Sequence, residues 1–141
     1  MRCLKGVYVL LIRVNEDTDA NVGALGKLIF KKGLYAYIGS AQKYLEQRIA
    51  RRLRKEKRKF WHIDYLLDTN TVKIVKVFHK EADKIQECAI AKLIGQKGAP
   101  VHGFGSSDCN CRSHLFRLKD YKFLYQSMRV LDIERVNLLT G

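Results

Sequence analysis

Gly6-Val7-Tyr8-Val9-Leu10-Leu11-Ile12-Arg13-Val14 decides the fold class, because a run so rich in β-branched, aromatic and aliphatic side chains reads as a first, buried strand. Its apolar centre, Val7 to Ile12, falls far short of the ~20 residues a membrane helix needs. It is also too short for a secretory-signal core, and no small-residue cleavage site follows it. The chain is therefore expected to stay in the cytoplasm. Downstream, Leu25–Phe30 and Leu34–Ile38 read as two more strands, joined by a tight turn at Lys31-Lys32-Gly33. Asn15–Asn21 carries three acids and no apolar residue beyond Ala20, so it reads as a turn or exposed loop. The first third thus has the pattern of a small antiparallel sheet.

Helical spacing begins after this sheet. Leu45, Ile49 and Leu53 recur every four residues and give a helix over about Lys43–Lys59 a buried stripe. A short helix or turn is expected at Trp61–Leu67, and a strand at Val72–Phe78 crowded enough for burial on both faces. Ala82–Gln96 reads as a strong helix ended by Gly98 and Pro100. A Gly-, Ser-, Asp- and Asn-rich loop fills Pro100–Ser113, and His114–Leu118 reads as a last strand. Tyr121, Leu124, Tyr125, Met128 and Leu131 stand at helical spacing. The class is α+β, a small antiparallel sheet flanked by helices. With 141 residues, and no repeat, low-complexity segment or linker, one domain is expected over 1–141. Its core would span about 6–118, with a C-terminal helical extension over about 119–141.

Charge narrows the partners. Twenty-seven Lys and Arg face 14 acids, a formal +13, which draws the chain to a polyanion and foremost to nucleic acid. A membrane surface is disfavoured because no basic helix carries bulky apolar anchors opposite its charges; acidic protein partners stay open. Lys43–Lys59 holds nine cations and two acids, a net +7 of the whole +13. Arg48, Arg52, Lys55 and Lys59 fall within roughly 60 degrees on a helical wheel, beside the apolar stripe. Such a ridge fits a phosphate track, though a merely solvated lysine-rich face has the same composition. The four cysteines, without a secretory signal, are expected as free thiols.

Several residues could carry chemistry. Glu87 has Ile90, Ala91 and Ile94 at i+3, i+4 and i+7, so its carboxylate needs a cation: a metal ion or a structural arginine. Tyr8 and Tyr37 each read alone as ordinary core tyrosines. His102, Cys109, Cys111 and His114 place four Zn²⁺-competent side chains within 13 residues, but Cys-x-Cys is tighter than the usual zinc spacing. Without zinc, Ser106, Ser107, Asp108 and Asn110 still make a polar loop suited to a substrate cleft.

Gly6-Val7-Tyr8, Tyr37-Ile38-Gly39, Arg48 and Glu87, in that order, resemble the GIY-YIG nuclease superfamily. Trp61-His62-Ile63-Asp64-Tyr65-Leu66-Leu67 and Gly103-Phe104-Gly105-Ser106-Ser107-Asp108-Cys109 look like signatures of a small archaeal-type branch of it. Three departures stand out: Val7 in place of isoleucine, 28 residues between the two tyrosines that call for an extra hairpin, and Arg52 where many members place histidine. The resemblance implies neighbouring motif strands and hydrolysis of phosphodiester bonds by an endonuclease of DNA repair or processing, with DNA ahead of RNA as substrate. It implies Mg²⁺ (or Mn²⁺) held by Glu87, with Arg48 stabilising transition-state charge, Tyr8 acting on the attacking water and Tyr37 beside it. An ordinary tyrosine, with a pKa of about 10, is a weak base at neutral pH. Arg52, Lys55, Lys59 and His62 would contact nucleic acid, and His62 and Asp64 could equally be surface or capping groups. Tyr8, Tyr37, Arg48 and Glu87 are expected to converge on one concave surface. The alternative is a non-catalytic nucleic-acid-binding module on the same fold, and a third reading is a small zinc-stabilised interaction domain.

Overall fold

The computed structural model describes residues 6–41, 47, 49–51, 62–83, 85–101, 103–104 and 113–131, and β1 (Gly6–Val14) lies at its centre. β4 (Gly33–Ala41) and β5 (Val72–Lys80) pair with β1 on either side, both antiparallel. Beyond β4 come β7 (Leu115–Leu118) and then β6 (Gly98–Pro100); beyond β5 comes β8 (Arg129–Leu131). The result is one six-stranded sheet in the order β6-β7-β4-β1-β5-β8.

Strand alternation sorts the core into two layers. Tyr8, Leu10, Ile12 and Val14 project to one face with Tyr35, Tyr37, Val77 and Leu115. That face is covered by Ile49 and Ala50, which are helical, and by Ile63, Leu66 and Leu67 of α1 (His62–Leu67). Val7, Val9 and Leu11 project to the other face with Ala36, Ile38, Phe78 and Phe116. There α2 (Ile85–Gly95) inserts Ile90, Ala91 and Ile94, while Leu124 of α3 (Leu124–Ser127) and Met128 complete the cover. The molecule is a single-domain α+β fold in which the sheet is sandwiched, and no helix among the described residues is long and apolar enough to cross a membrane.

Several elements differ from the sequence expectations. Asn15–Asn21 is not wholly loop: β2 (Thr18–Asn21) pairs with β3 (Lys27–Phe30), burying Thr18 and Ala20 on one side. β3 and β4 therefore do not form a hairpin across Lys31-Lys32-Gly33. Both edges of β4 are taken by β1 and β7, so β3 turns back on β2 and makes the extra hairpin that the long Tyr8–Tyr37 interval demanded. The Lys31-Lys32-Gly33 connection is pinned from both sides. Asp17 Oδ1 accepts the Lys32 N–H at 2.8 Å, and Arg117 donates to the Lys32 carbonyl at 2.6 Å. Gly98 and Pro100 do more than end α2, for they form edge strand β6, a position where proline costs no ladder bond. Val75 is exposed because the β1–β5 register shifts beside it.

Of the helical extension expected over 119–141, the described part, 119–131, differs from the expectation, and 132–141 lie outside the described residues. α3 has only four residues and closes when the Met128 N–H bonds the Leu124 carbonyl, after which β8 joins the main sheet. Leu124 and Met128 bury on one face of the sheet and Leu131 on the other, so the apparent stripe was split between two cores. The expected helix over Lys43–Lys59 lies outside the described residues except at 47 and 49–51, which are helical.

Two contacts hold these layers in register. Gly39 lies opposite Tyr8 in the β1–β4 ladder, and a Cβ at Gly39 would collide with Cζ and Oη of the Tyr8 ring. Only glycine lets the ring lie flat across β4. On the same face Asp64, in the first turn of α1 and fully buried, places Oδ1 3.6 Å from a guanidinium nitrogen of Arg51. A carboxylate taken out of water needs such a cation.

Gly39→Ala should therefore lower unfolding free energy by about 2 kcal/mol, the cost of overpacking, measured by denaturant titration. The loss should shrink in a Tyr8→Leu background, where the ring is gone. Asp64→Ala should cost about 3 kcal/mol, read as a lower melting temperature, because a buried pair loses its anion and leaves a guanidinium against the core.

Candidate functional site

The motif tyrosines lie side by side on the α1 face of the sheet. Tyr8 is 1% exposed and packed over Gly39. Tyr37, two residues earlier on β4, is buried against Phe104 with ring centroids 6.1 Å apart and nearly perpendicular. Phe104 belongs to the Gly-rich connection after β6 and is fixed there by backbone bonds, donating to Val101 and accepting from the His114 N–H. Phe104, from the signature at residues 103–109, thereby reaches the tyrosine row. Tyr35, the third tyrosine of the row, donates its hydroxyl to the Lys31 carbonyl at 2.7 Å, and burial pushes its phenol pKa up. That fixes Tyr35 as a structural donor.

Glu87 enters from the other face, in the first turn of α2. The hydroxyl of Ser40, near the end of β4, donates to Oε2 at 2.6 Å. Nδ1 of His114 stands 3.1 Å from Oε1, an ion-pair distance although the approach is not aligned as a hydrogen bond. The Glu87 side chain is 13% exposed and that of His114 is 2% exposed, so the carboxylate reaches solvent past an almost dry imidazole. His114 is placed by the Ile38 N–H, which bonds its carbonyl across the β4–β7 ladder. A metal ion or an arginine was expected beside Glu87; among the described residues the groups that meet it are a histidine and a serine.

Alternation locates these groups relative to one another. Gly39 belongs to the face of Tyr8 and Tyr37; Ser40 belongs to the face of Ile38 and α2. The phenol of Tyr8 and the carboxylate of Glu87 thus meet consecutive residues at one end of β4 from opposite sides of the sheet. The expected gathering of Tyr8, Tyr37, Arg48 and Glu87 on a single surface is not what the described residues show: the tyrosines share the α1 face, Glu87 lies on the α2 face, and Arg48 lies outside the described residues. Arg48, Arg52, Lys55 and Lys59 lie outside the described residues, as do His102, Cys109 and Cys111 and the side chain of His62.

Asp64 pairs with Arg51 at 3.6 Å. Among the described residues no three His, Cys, Asp or Glu side chains cluster as metal ligands. His114, weighed in the sequence as a zinc ligand or a donor to backbone or phosphate, turns its Nδ1 to Glu87. Sequence reasoning missed Ser40 and His114 as partners of Glu87. For Ser40 the signal was present, since it follows Tyr37-Ile38-Gly39 directly and alternates onto the α2 face. For His114 it was not, because 26 residues separate it from Glu87.

A comparison with curated proteins and with solved structures found no match. Residues 7–134 match the family model described as Domain of unknown function DUF123, an interval that holds Tyr8, Tyr37, Glu87, Ser40, His114 and every strand of the sheet. The chain belongs to that family.

Proposed function

We propose that this protein is a nucleic-acid-binding endonuclease of GIY-YIG type, hydrolysing phosphodiester bonds with a divalent metal at Glu87. The observation that carries the reading is the position of Glu87: a partly exposed carboxylate bonded to Ser40 at the end of the motif strand, on the sheet face opposite the Tyr8 ring. A carboxylate keeps about four acceptor positions, and Ser40 and His114 engage one on each oxygen. Hard-oxygen capacity therefore remains, and Mg²⁺ is commonly held by one or two carboxylates with water and substrate phosphate. A bound ion would supply positive charge to the phosphoryl oxygens and lower the pKa of water.

The chain's own residues do the rest. Ser40 and His114 fix the Glu87 carboxylate, so little reorganisation is needed when phosphate arrives. Arg48 offers a planar fork to two phosphate oxygens, and Arg52, Lys55, Lys59 and His62 extend the contact along the strand. Tyr8 orients the attacking water from the strand end, with Tyr37 behind it. DNA is the favoured substrate and the cytoplasm the favoured compartment.

One observation favours a second reading, a binding module without cleavage. Both Glu87 oxygens already have partners and Tyr8 is nearly fully buried, an arrangement that a purely structural cluster also satisfies.

Glu87→Gln separates the two. It should abolish Mg²⁺-dependent cleavage in a gel assay yet leave binding in chelator nearly intact, whereas Arg48→Ala should lose cleavage and weaken binding as well. A structural Glu87 would instead show a lower melting temperature, with any cleavage falling only in proportion to the folded fraction. Wild-type protein inactive on linear, branched and RNA substrates with Mg²⁺ or Mn²⁺ would establish the binding module.

Affinity should fall steeply with salt, because each neutralised phosphate releases counterions. Joint charge reversal at Arg52, Lys55 and Lys59 should flatten the log–log slope by about 3. An unchanged slope would move the contact surface elsewhere.

A further inference from the structure

At the β5–β8 edge, on the α2 face, lies an aromatic and cationic patch that the strand-end site does not use. Tyr125 of α3 is 47% exposed, and its ring meets buried Phe78 at 5.1 Å in an edge-to-face arrangement. Tyr121 stands 6.3 Å away and tilted. Val130, opposite Phe78 in the β5–β8 ladder, is also exposed and extends the apolar floor. Lys76 donates to the Tyr125 hydroxyl at 2.5 Å, and that bond holds the amine's pKa up, so its charge persists through neutral pH.

The position of this ammonium matters. It lies 5.2 Å from the Tyr125 centroid while touching the hydroxyl, so it sits beyond the hydroxyl rim and near the ring plane, not above the face. Lysine therefore flanks the ring without capping it. Among the described residues no carboxylate pairs with Lys76, and Lys122 and Arg129 are exposed nearby in sequence. Asp120 is the neighbouring acid, and one of its oxygens is engaged by the Lys122 N–H at 3.0 Å.

We propose that Tyr125, flanked by Lys76, is a stacking site for an unpaired base of a nucleic-acid strand. A half-exposed aromatic ring with a fixed cation at its rim matches a base followed by its phosphate. In a duplex both faces of a base are already stacked, so the site selects single-stranded segments. Ser40, Val7 and Lys80 stand at one level across β4, β1 and β5. Lys76 is four residues further along β5, about 13 Å at strand rise, on the face that carries Glu87. A strand held at Tyr125 can thus run toward the Glu87 end. The inference rests on nucleic-acid binding but not on cleavage.

The experiment measures fluorescence anisotropy in chelator, with a labelled single strand and the same sequence as duplex. Tyr125→Leu keeps apolar cover over Phe78 and removes the π face; Tyr125→Phe keeps both. The leucine variant should bind the single strand on the order of tenfold more weakly than wild type and bind duplex unchanged, while the phenylalanine variant stays within about twofold on both. Melting curves of both variants establish that each is folded. Leucine and phenylalanine variants of equal single-strand affinity would reduce Tyr125 to a lid on Phe78 and overturn the proposal. Equal weakening on single strand and duplex would overturn it too, as a loss of general surface contact. Wild type that binds neither probe overturns it together with the nucleic-acid reading, whereas intact binding without cleavage removes only the nuclease.

Discussion

β1 is dry on both faces, and the rest of the molecule follows from that constraint. Eight of its nine residues are buried, with Arg13 the exception. An antiparallel strand normally keeps one wet face, so this one demands a covering layer on each side. The α1 layer and the β2–β3 hairpin close over Tyr8, Leu10 and Ile12; α2 and the segment around α3 close over Val7, Val9 and Leu11. Burying an aliphatic side chain contributes roughly 1.5–3 kcal/mol, so uncovering either layer would cost more than a small domain can lose. Among the described residues the two layers form separate hydrophobic clusters on either side of the sheet.

That division explains which parts of the fold were legible. β1 is bounded by its own composition, and its limits, Gly6 and Val14, could be read from sequence directly. The antiparallel class, α2 and β7 were legible for the same reason, since each carries its pattern within itself. What failed was partnership. β3 and β4 are adjacent in sequence, so a hairpin was expected, but the choice of partner depended on whether β7, some 80 residues later, would claim the second edge of β4. The Tyr121–Leu131 stripe failed similarly, because periodicity records that residues are apolar and not which of two cores receives them.

The candidate site was legible as residues and not as geometry. Gly39 had its reason in a ring 31 positions away, and the structure supplies it: Tyr8 lies across the backbone where any Cβ would intrude. Glu87 was conspicuous as a carboxylate on an apolar helix face, and the physical demand for a partner was correct. Ser40 and His114 were not foreseen beside it, since an abundance of arginine says nothing about which side chain the topology delivers. Ladder geometry delivers His114, because the Ile38–His114 backbone bond sets its imidazole on the α2 face beside Ser40.

Position at the strand end also bears on how a buried cluster could meet a polymer. In the middle of the sheet both faces are covered, which shields it from a polymer. Towards the end of β4 the β4–β7 register has run out at Tyr37 and Leu115, while β1 still pairs with β4 as far as Ala41. A carboxylate there can be fixed by a dry histidine on one side and still reach water on the other, which the uneven exposure of Glu87 and His114 reflects. The positive charge of the chain is concentrated in the stretch that follows β4 in sequence, residues 43–59 with a net +7. Under the proposed function, that charge would offset the repulsion between a phosphate and the Glu87 carboxylate.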